Sequence, residues 1–255
     1  MNVRLSRIVV ALAVLASRAP AVDAQVPGDS LTPIQAAVAC AAPPFLASPR
    51  PAVLRVIGSQ DTVARSVFGK SDLLVISGGT KAGVLLGQRF FVRRPVPFGT
   101  NSPSEDHSIH TSGWIRVVAV NDTTSIAAVE FTCSEISQDD YLEPFVVPLV
   151  PDDAVRNDAS GELNFAVLGH VMYRTDELNA AGTGDFILID RGSDLDTALG
   201  TRFAVYRDLQ VGGLPLASVG EGIIVSVGKR MSVMRITAAR DAVQSGDFVV
   251  PRRPR

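Results

Sequence analysis

The chain has 255 residues, with 24 Lys and Arg against 26 Asp and Glu and a formal net charge of −2. This slightly acidic balance argues against nucleic acid and against an anionic membrane surface, both of which draw basic proteins. The length suits two compact domains of ordinary size.

Arg4 and Arg7 precede an unbroken apolar run from Ile8 to Ala16, and Val22-Asp23-Ala24 then offers small residues where a signal peptidase reads. The run is too short to cross a bilayer core of about 30 Å as a helix. Residues 1–24 therefore read as a cleaved secretory signal, which places the mature protein in the bacterial periplasm or outside the cell with no later transmembrane segment. Residues 25–51 form a Pro- and Ala-rich arm. Within it Thr32-Pro33 predicts a helix start, with Thr at the N-cap and Pro at the first helical position, and Pro43-Pro44 predicts its end. Cys40 follows that short helix, and the only other cysteine is Cys133. Two cysteines in an exported chain most simply form one disulfide, here a clamp holding the arm onto the first domain only. Two buried free thiols are the alternative.

From residue 52 onward the chain says the same thing twice. Asp72 to Arg94 and Asp185 to Arg207 align without a gap, with 9 of 23 positions identical. A second gapless block pairs Gly113-Trp114-Ile115 with Gly220-Glu221-Gly222, Ser125 with Ser232 and Asp140 with Asp247. The intervening connection differs, at 18 residues in the first copy and 12 in the second. Surface loops tolerate such insertions. Val56-Ile57-Gly58 and Val167-Leu168-Gly169 are expected to open the two copies. The domains are therefore a first repeat over 52–147, a polar linker over 148–162 and a second repeat over 163–255, which should fold alone.

Inside each copy the reading is β. Leu73 to Ile76 and Phe186 to Ile189 are short apolar runs bounded by Asp and Gly, and Ile115 to Val120 and Ile223 to Val227 are rich in Val and Ile. Short strands at close spacing indicate a small barrel. Gly79/Gly192 and Gly87/Gly200 fit turns that need positive φ or close backbone approach. The fold class expected is all-β: two tandem small SH3-like β-barrels of about five strands each, from an internal duplication, with a short N-terminal helical or irregular arm.

Candidate chemistry is sparse. Val227-Gly228-Lys229-Arg230 is a turn, not a phosphate loop. Glu105-Asp106-His107-Ser108-Ile109-His110 places His107 and His110 beside two carboxylates, a set that could hold a divalent ion. It falls in the inserted 95–112 connection, where ordering a site would cost entropy. Arg89/Arg202 and Arg94/Arg207 either line a shared groove or pair with Asp72/Asp185 and Asp140/Asp247. Trp114 is the single Trp and has Glu221 as its counterpart, so it is a candidate contact surface together with Arg89 and Arg202; a core or domain-interface role is equally open.

The order Ile/Val run, Gly, spacer, Leu-Gly-x-Arg-Phe-x-Val-x-Arg, loop, Gly-x-Ile/Val-x-Val, Ser-bearing strand and closing Gly-Asp-Phe-Val-Val resembles the C-terminal domain of flagellar assembly protein T. The match is best over Asp185 to Val250; in the first copy Asp139 stands where the second has Gly246, so a different closing turn is expected there. The resemblance covers the two repeats and implies a non-enzymatic barrel in an envelope assembly, with no catalytic residues and no cofactor. The function expected is an exported interaction or scaffold module with an envelope protein partner. The alternative is a metal-binding protein or small metal-dependent hydrolase using His107 and His110.

Overall fold

A computed structural model describes residues 30–45, 54–97, 107–174 and 180–253. The expected signal segment lies outside these. The described residues are all-β apart from one α-helix, α1 (Pro33–Cys40), and two single-turn 3-10 helices. Thr32 caps α1: its hydroxyl accepts from the Gln35 N–H, and the Gln35 side chain accepts from the Thr32 N–H. This reciprocal box satisfies two orphan donors of the first turn.

The first copy supplies β1 (Val56–Ser59), β2 (Val67–Phe68), β3 (Leu73–Ser77), β4 (Arg89–Pro97), β5 (His107–Val120), β6 (Thr124–Thr132), β7 (Ile136–Ser137) and β8 (Tyr141–Pro144). After β9 (Glu162–Leu163) the second copy repeats the set. Its strands are β10 (Gly169–Arg174), β11 (Ala180–Ala181), β12 (Phe186–Ile189), β13 (Arg202–Arg207), β14 (Ala217–Val227), β15 (Ser232–Ala239), β16 (Val243–Gln244) and β17 (Phe248–Arg253). The main sheets run β1-β3-β6-β5-β4-β8 and β10-β12-β15-β14-β13-β17, strand for strand the same, and β2-β7 and β11-β16 form matching small pairs. β10 pairs with β17 and closes the second sheet into a six-stranded barrel. In the first copy an Arg55–Tyr141 bridge and main-chain bonds from Val56 N to Asp140 O (2.9 Å) and from Asp139 N to Val56 O (2.9 Å) join β1 to β8. Closure pairs the outer strands of each main sheet with each other and so removes the edges an open sheet would present. Each copy thus has six strands in its main sheet, not about five, because the short segment after the Asp140/Asp247 turn completes the circle.

Two expectations of register change. Val56 N bonds Asp140 O and Val171 N bonds Asp247 O, and Val56 and Val171 face Ile76 and Ile189. Val171, not Val167, is therefore the counterpart of Val56; Val167 closes a turn onto Asn164 O instead. The closing turns are also alike: Asp139 has φ 71° and Gly246 has φ 89°. Asp reaches the left-handed region at a cost that Gly avoids.

Each barrel has its own core. Leu74, Ile76, Phe90, Val92, Val129 and Ile136 fill the first, and Ile187, Ile189, Phe203, Val205, Ile236 and Val243 fill the same positions in the second. Full burial of such side chains is worth about 1.5–3 kcal/mol each. The conserved spacing of Gly79 and Gly192 reflects backbone contact: a Cβ there would lie 2.0 Å from Asn121 O and 2.3 Å from Lys229 O.

Candidate functional site

The charges repeated in both copies are held in matching internal pairs. Arg94 donates from Nε to Asp140 Oδ1 (2.7 Å) and from Nη2 to Oδ2 (3.1 Å). Arg207 does the same to Asp247, at 2.7 and 2.8 Å. Both carboxylates are buried, and each also accepts a backbone N–H, from Ser137 and Gln244. The carboxylate partners hold both guanidinium pKa values above their ordinary range, chiefly through these hydrogen bonds. Asp72 and Asp185 act differently: each accepts the N–H three residues back, from Gly69 (2.8 Å) and Gly182 (2.7 Å), and so fastens the turn before β3 or β12. Arg65 is the cation beside Asp72.

Arg89 and Arg202 do not line a shared groove. Arg89 Nε bonds Glu130 (2.7 Å) and its guanidinium lies 4.1 Å from the Phe145 ring centre. Arg202 holds the linker, donating to the carbonyls of Arg156 (3.1 Å) and Asp158 (3.4 Å) and pairing with Asp153. Residues 148–162 are thus seated on the second barrel: Ala154 is buried, Arg235 donates to its carbonyl, and β9 pairs with β17.

The two histidines are not in a loop. β4 and β5 extend as a ladder as far as Pro97 opposite His107, so only residues 98–106 of that connection lie outside the described residues, Glu105 and Asp106 among them. A spacing of three brings side chains together on a helix, not on a strand. His110 meets Ser134 Oγ at 2.6 Å, and among the described residues no three His, Cys, Asp or Glu gather as a metal site.

Trp114 is not a surface residue. It is 4% exposed, stacks on Phe131 (4.4 Å, 6°), meets Phe91 edge-on (6.5 Å) and contacts Phe145 (5.6 Å). Aromatic pairs of this kind add about 0.5–1.5 kcal/mol to their area burial. The cluster lies on the outside of the first barrel, and α1 covers it with Ala36, Ala39 and Cys40. Cys40 and Cys133 are joined there as a disulfide, with Cα atoms 5.5 Å apart.

The clamp does not end at the first barrel. Ile34, Val38 and Ala41, at helical spacing on another stripe of α1, pack on Leu188, Ile223, Val225 and Val233 outside the second barrel. The chain just beyond the helix continues the contact, since a Cβ on Gly228 would lie 2.1 Å from Pro44 O. Eight residues with no charged side chain therefore bury two faces against two barrels. The sequence signal for this was the run of apolar residues from Ile34 to Cys40, interrupted only by the capping Gln35.

Beside α1, where both barrels and the start of the linker meet, is a cavity of about 430 Å3. Its wall is almost wholly apolar and includes Ala42, Phe91, Val147, Val225 and Val227. The one charged residue among the described ones that line it is Arg93, 8% exposed, paired through Nη1 with Glu143 and lying 4.6 Å from the Phe91 ring centre. Among the described residues Arg93 Nε, itself sealed from solvent, has no hydrogen-bond partner, and burial pulls the guanidinium pKa below its ordinary value. A buried donor left without an acceptor costs about 1–3 kcal/mol. Burial also pushes the Tyr141 phenol, opposite Arg93 on β8, upward. No family model matches this chain, and neither does any curated protein.

Proposed function

We propose that the protein is an exported envelope component, released from its leader near Ala24, that serves as a non-enzymatic interaction or scaffold module. The observation that carries this reading is the construction of α1: one helix fixes two barrels to each other and is itself fastened by a disulfide. A bond of that kind persists in oxidising compartments. Such a block presents two barrel surfaces in a fixed relation, which suits a part that holds a partner in register. The likeness of both copies to the flagellar assembly protein T domain favours an envelope protein as that partner. No helix among the described residues is long and apolar enough to cross a membrane.

Fractionation with N-terminal sequencing tests the reading. The periplasmic protein should begin at Gln25 or within a few residues of it, and a photo-crosslinker at exposed Leu149 or Leu85 should yield a discrete protein adduct in envelope preparations. An intact Met1 in the periplasmic fraction, or no adduct from either position, would contradict it.

A further inference from the structure

We infer that the Cys40–Cys133 disulfide is a switch: its reduction by an external dithiol parts α1 from the first barrel, opens the block and uncovers the aromatic face around Trp114. The inference goes beyond the scaffold reading and does not depend on which partner the barrels hold. The bond is placed where it can react without disturbing either core. Cys40 ends α1 and Cys133 lies in the bend between β6 and β7; both are half-buried, and neither belongs to a barrel interior. Disulfides open to solvent are the ones that exchange readily. A thiolate of the dithiol attacks one sulfur, the Cys40–Cys133 bond breaks, and the sulfur released takes a proton. The second thiol of the reagent then resolves the mixed disulfide, so the protein pair gains two electrons and two protons and the dithiol loses both.

What makes the bond a switch rather than a staple is the unequal grip of α1 on its two neighbours. Toward the first barrel the helix offers, besides the sulfur of Cys40, only the methyl groups of Ala36 and Ala39. Toward the second it offers the larger Ile34 and Val38, and the contact continues through Pro44 against Gly228. Apolar stabilisation follows the area removed from water, so the first barrel is the side that relies on the covalent bond. A helix of 8 residues is also too short to persist by its own hydrogen bonds. The device is particular to the first copy. Cys133 N and Arg240 N bond the matching carbonyls of Ser112 and Val219, so Arg240 stands where the first copy has the cysteine. Ala204 and Glu221 stand where it has Phe91 and Trp114. Neither the cysteine nor the aromatic face it covers is a requirement of the shared fold.

The single Trp reports the opening directly, since Trp114 is buried under α1 with Ala39 and Phe91. The disulfide-bonded protein is treated with dithiothreitol in the absence of denaturant, and its thiols are counted by alkylation. Trp fluorescence and small-angle X-ray scattering are recorded before and after. Reduction should go to completion at a rate proportional to dithiothreitol. Trp114 emission should shift to the red and become more readily quenched by acrylamide, and the radius of gyration should rise. Both changes should reverse when the bond re-forms, and the far-ultraviolet β signature should persist throughout. Reduction that requires denaturant would overturn the inference, because the bond would then be shielded. Complete reduction with unchanged Trp emission and radius of gyration would overturn it as well, leaving a static staple. So would loss of the β signature, since the cores would then depend on the bond.

Discussion

The two copies share their interiors and differ on their outsides. In the first, Phe91, Trp114, Phe131 and Phe145 form the aromatic face under α1. The same four positions in the second copy are Ala204, Glu221, Ala238 and Arg252, fixed by matching cross-strand pairs. There Arg252 and Glu221 make a two-pronged ion pair, at 2.7 and 3.0 Å. Conversely, Leu188, Ile223, Val225 and Val233, which receive the helix in the second copy, correspond to Val75, Arg116, Val118 and Ile126 in the first. Val118 is exposed, and Arg116 pairs with Glu130. Each barrel thus offers α1 a different face and places an ion pair on the face its sibling uses.

The largest effect that would break the comparison lies in what the copies share. Arg94→Met and Arg207→Met each leave a buried carboxylate without its cation, and each should cost about 3–5 kcal/mol, lowered somewhat by the partial exposure of the arginines. Denaturant titration checks this, and costs that differ severalfold would mean the pairs are not equivalent. Next comes a bond that only the first copy has. Cys40→Ser opens a link spanning 93 residues and should lower stability by about 2–4 kcal/mol. Because α1 touches both barrels, the loss should appear in both, and a loss confined to the first would restore the one-barrel clamp. Smaller still is the closing turn: Asp139→Gly should gain about 0.5–1 kcal/mol and Gly246→Asp should lose a similar amount, read as opposite shifts in melting temperature.

The mildest contrast is in acid. Hydrogen bonding from the Gly69 N–H depresses the Asp72 pKa, and hydrogen bonding from Arg202 depresses that of Asp153. A depressed folded-state pKa means that the stabilisation is complete above the ordinary carboxylate value, about 3.9, and is lost as pH falls below it through the folded-state value. Melting temperature should therefore drop below about pH 4, and less steeply in Asp153→Asn.

What was legible in the sequence follows from where selection acts twice. The barrel interiors, the Arg94–Asp140 and Arg207–Asp247 pairs, the glycine turns and the capped helix all rest on local pattern or on repetition. The two faces of α1 rest on neither. Val38 and Ala39 are ordinary apolar residues of a short helix, and their partners on the barrels differ between copies, so alignment of the copies hides them. The cavity is a meeting of six separate stretches of chain and has no local signature; Arg93 could have been noticed as a charge that the second copy replaces with Tyr206. The His107–His110 stretch reads as loop because it falls in the inserted 95–112 connection, whereas β4 and β5 carry their ladder through it as far as Pro97 and His107.

Calorimetry of the disulfide-bonded protein tests the central claim, that α1 makes one block of two barrels. The wild type should unfold in a single transition with equal calorimetric and van't Hoff enthalpies. Val38→Asp places an unpaired charge on the stripe facing the second barrel while the disulfide keeps the helix on the first, and should split that transition into two. Two independent transitions in the wild type, or a single undivided one in Val38→Asp, would contradict the account.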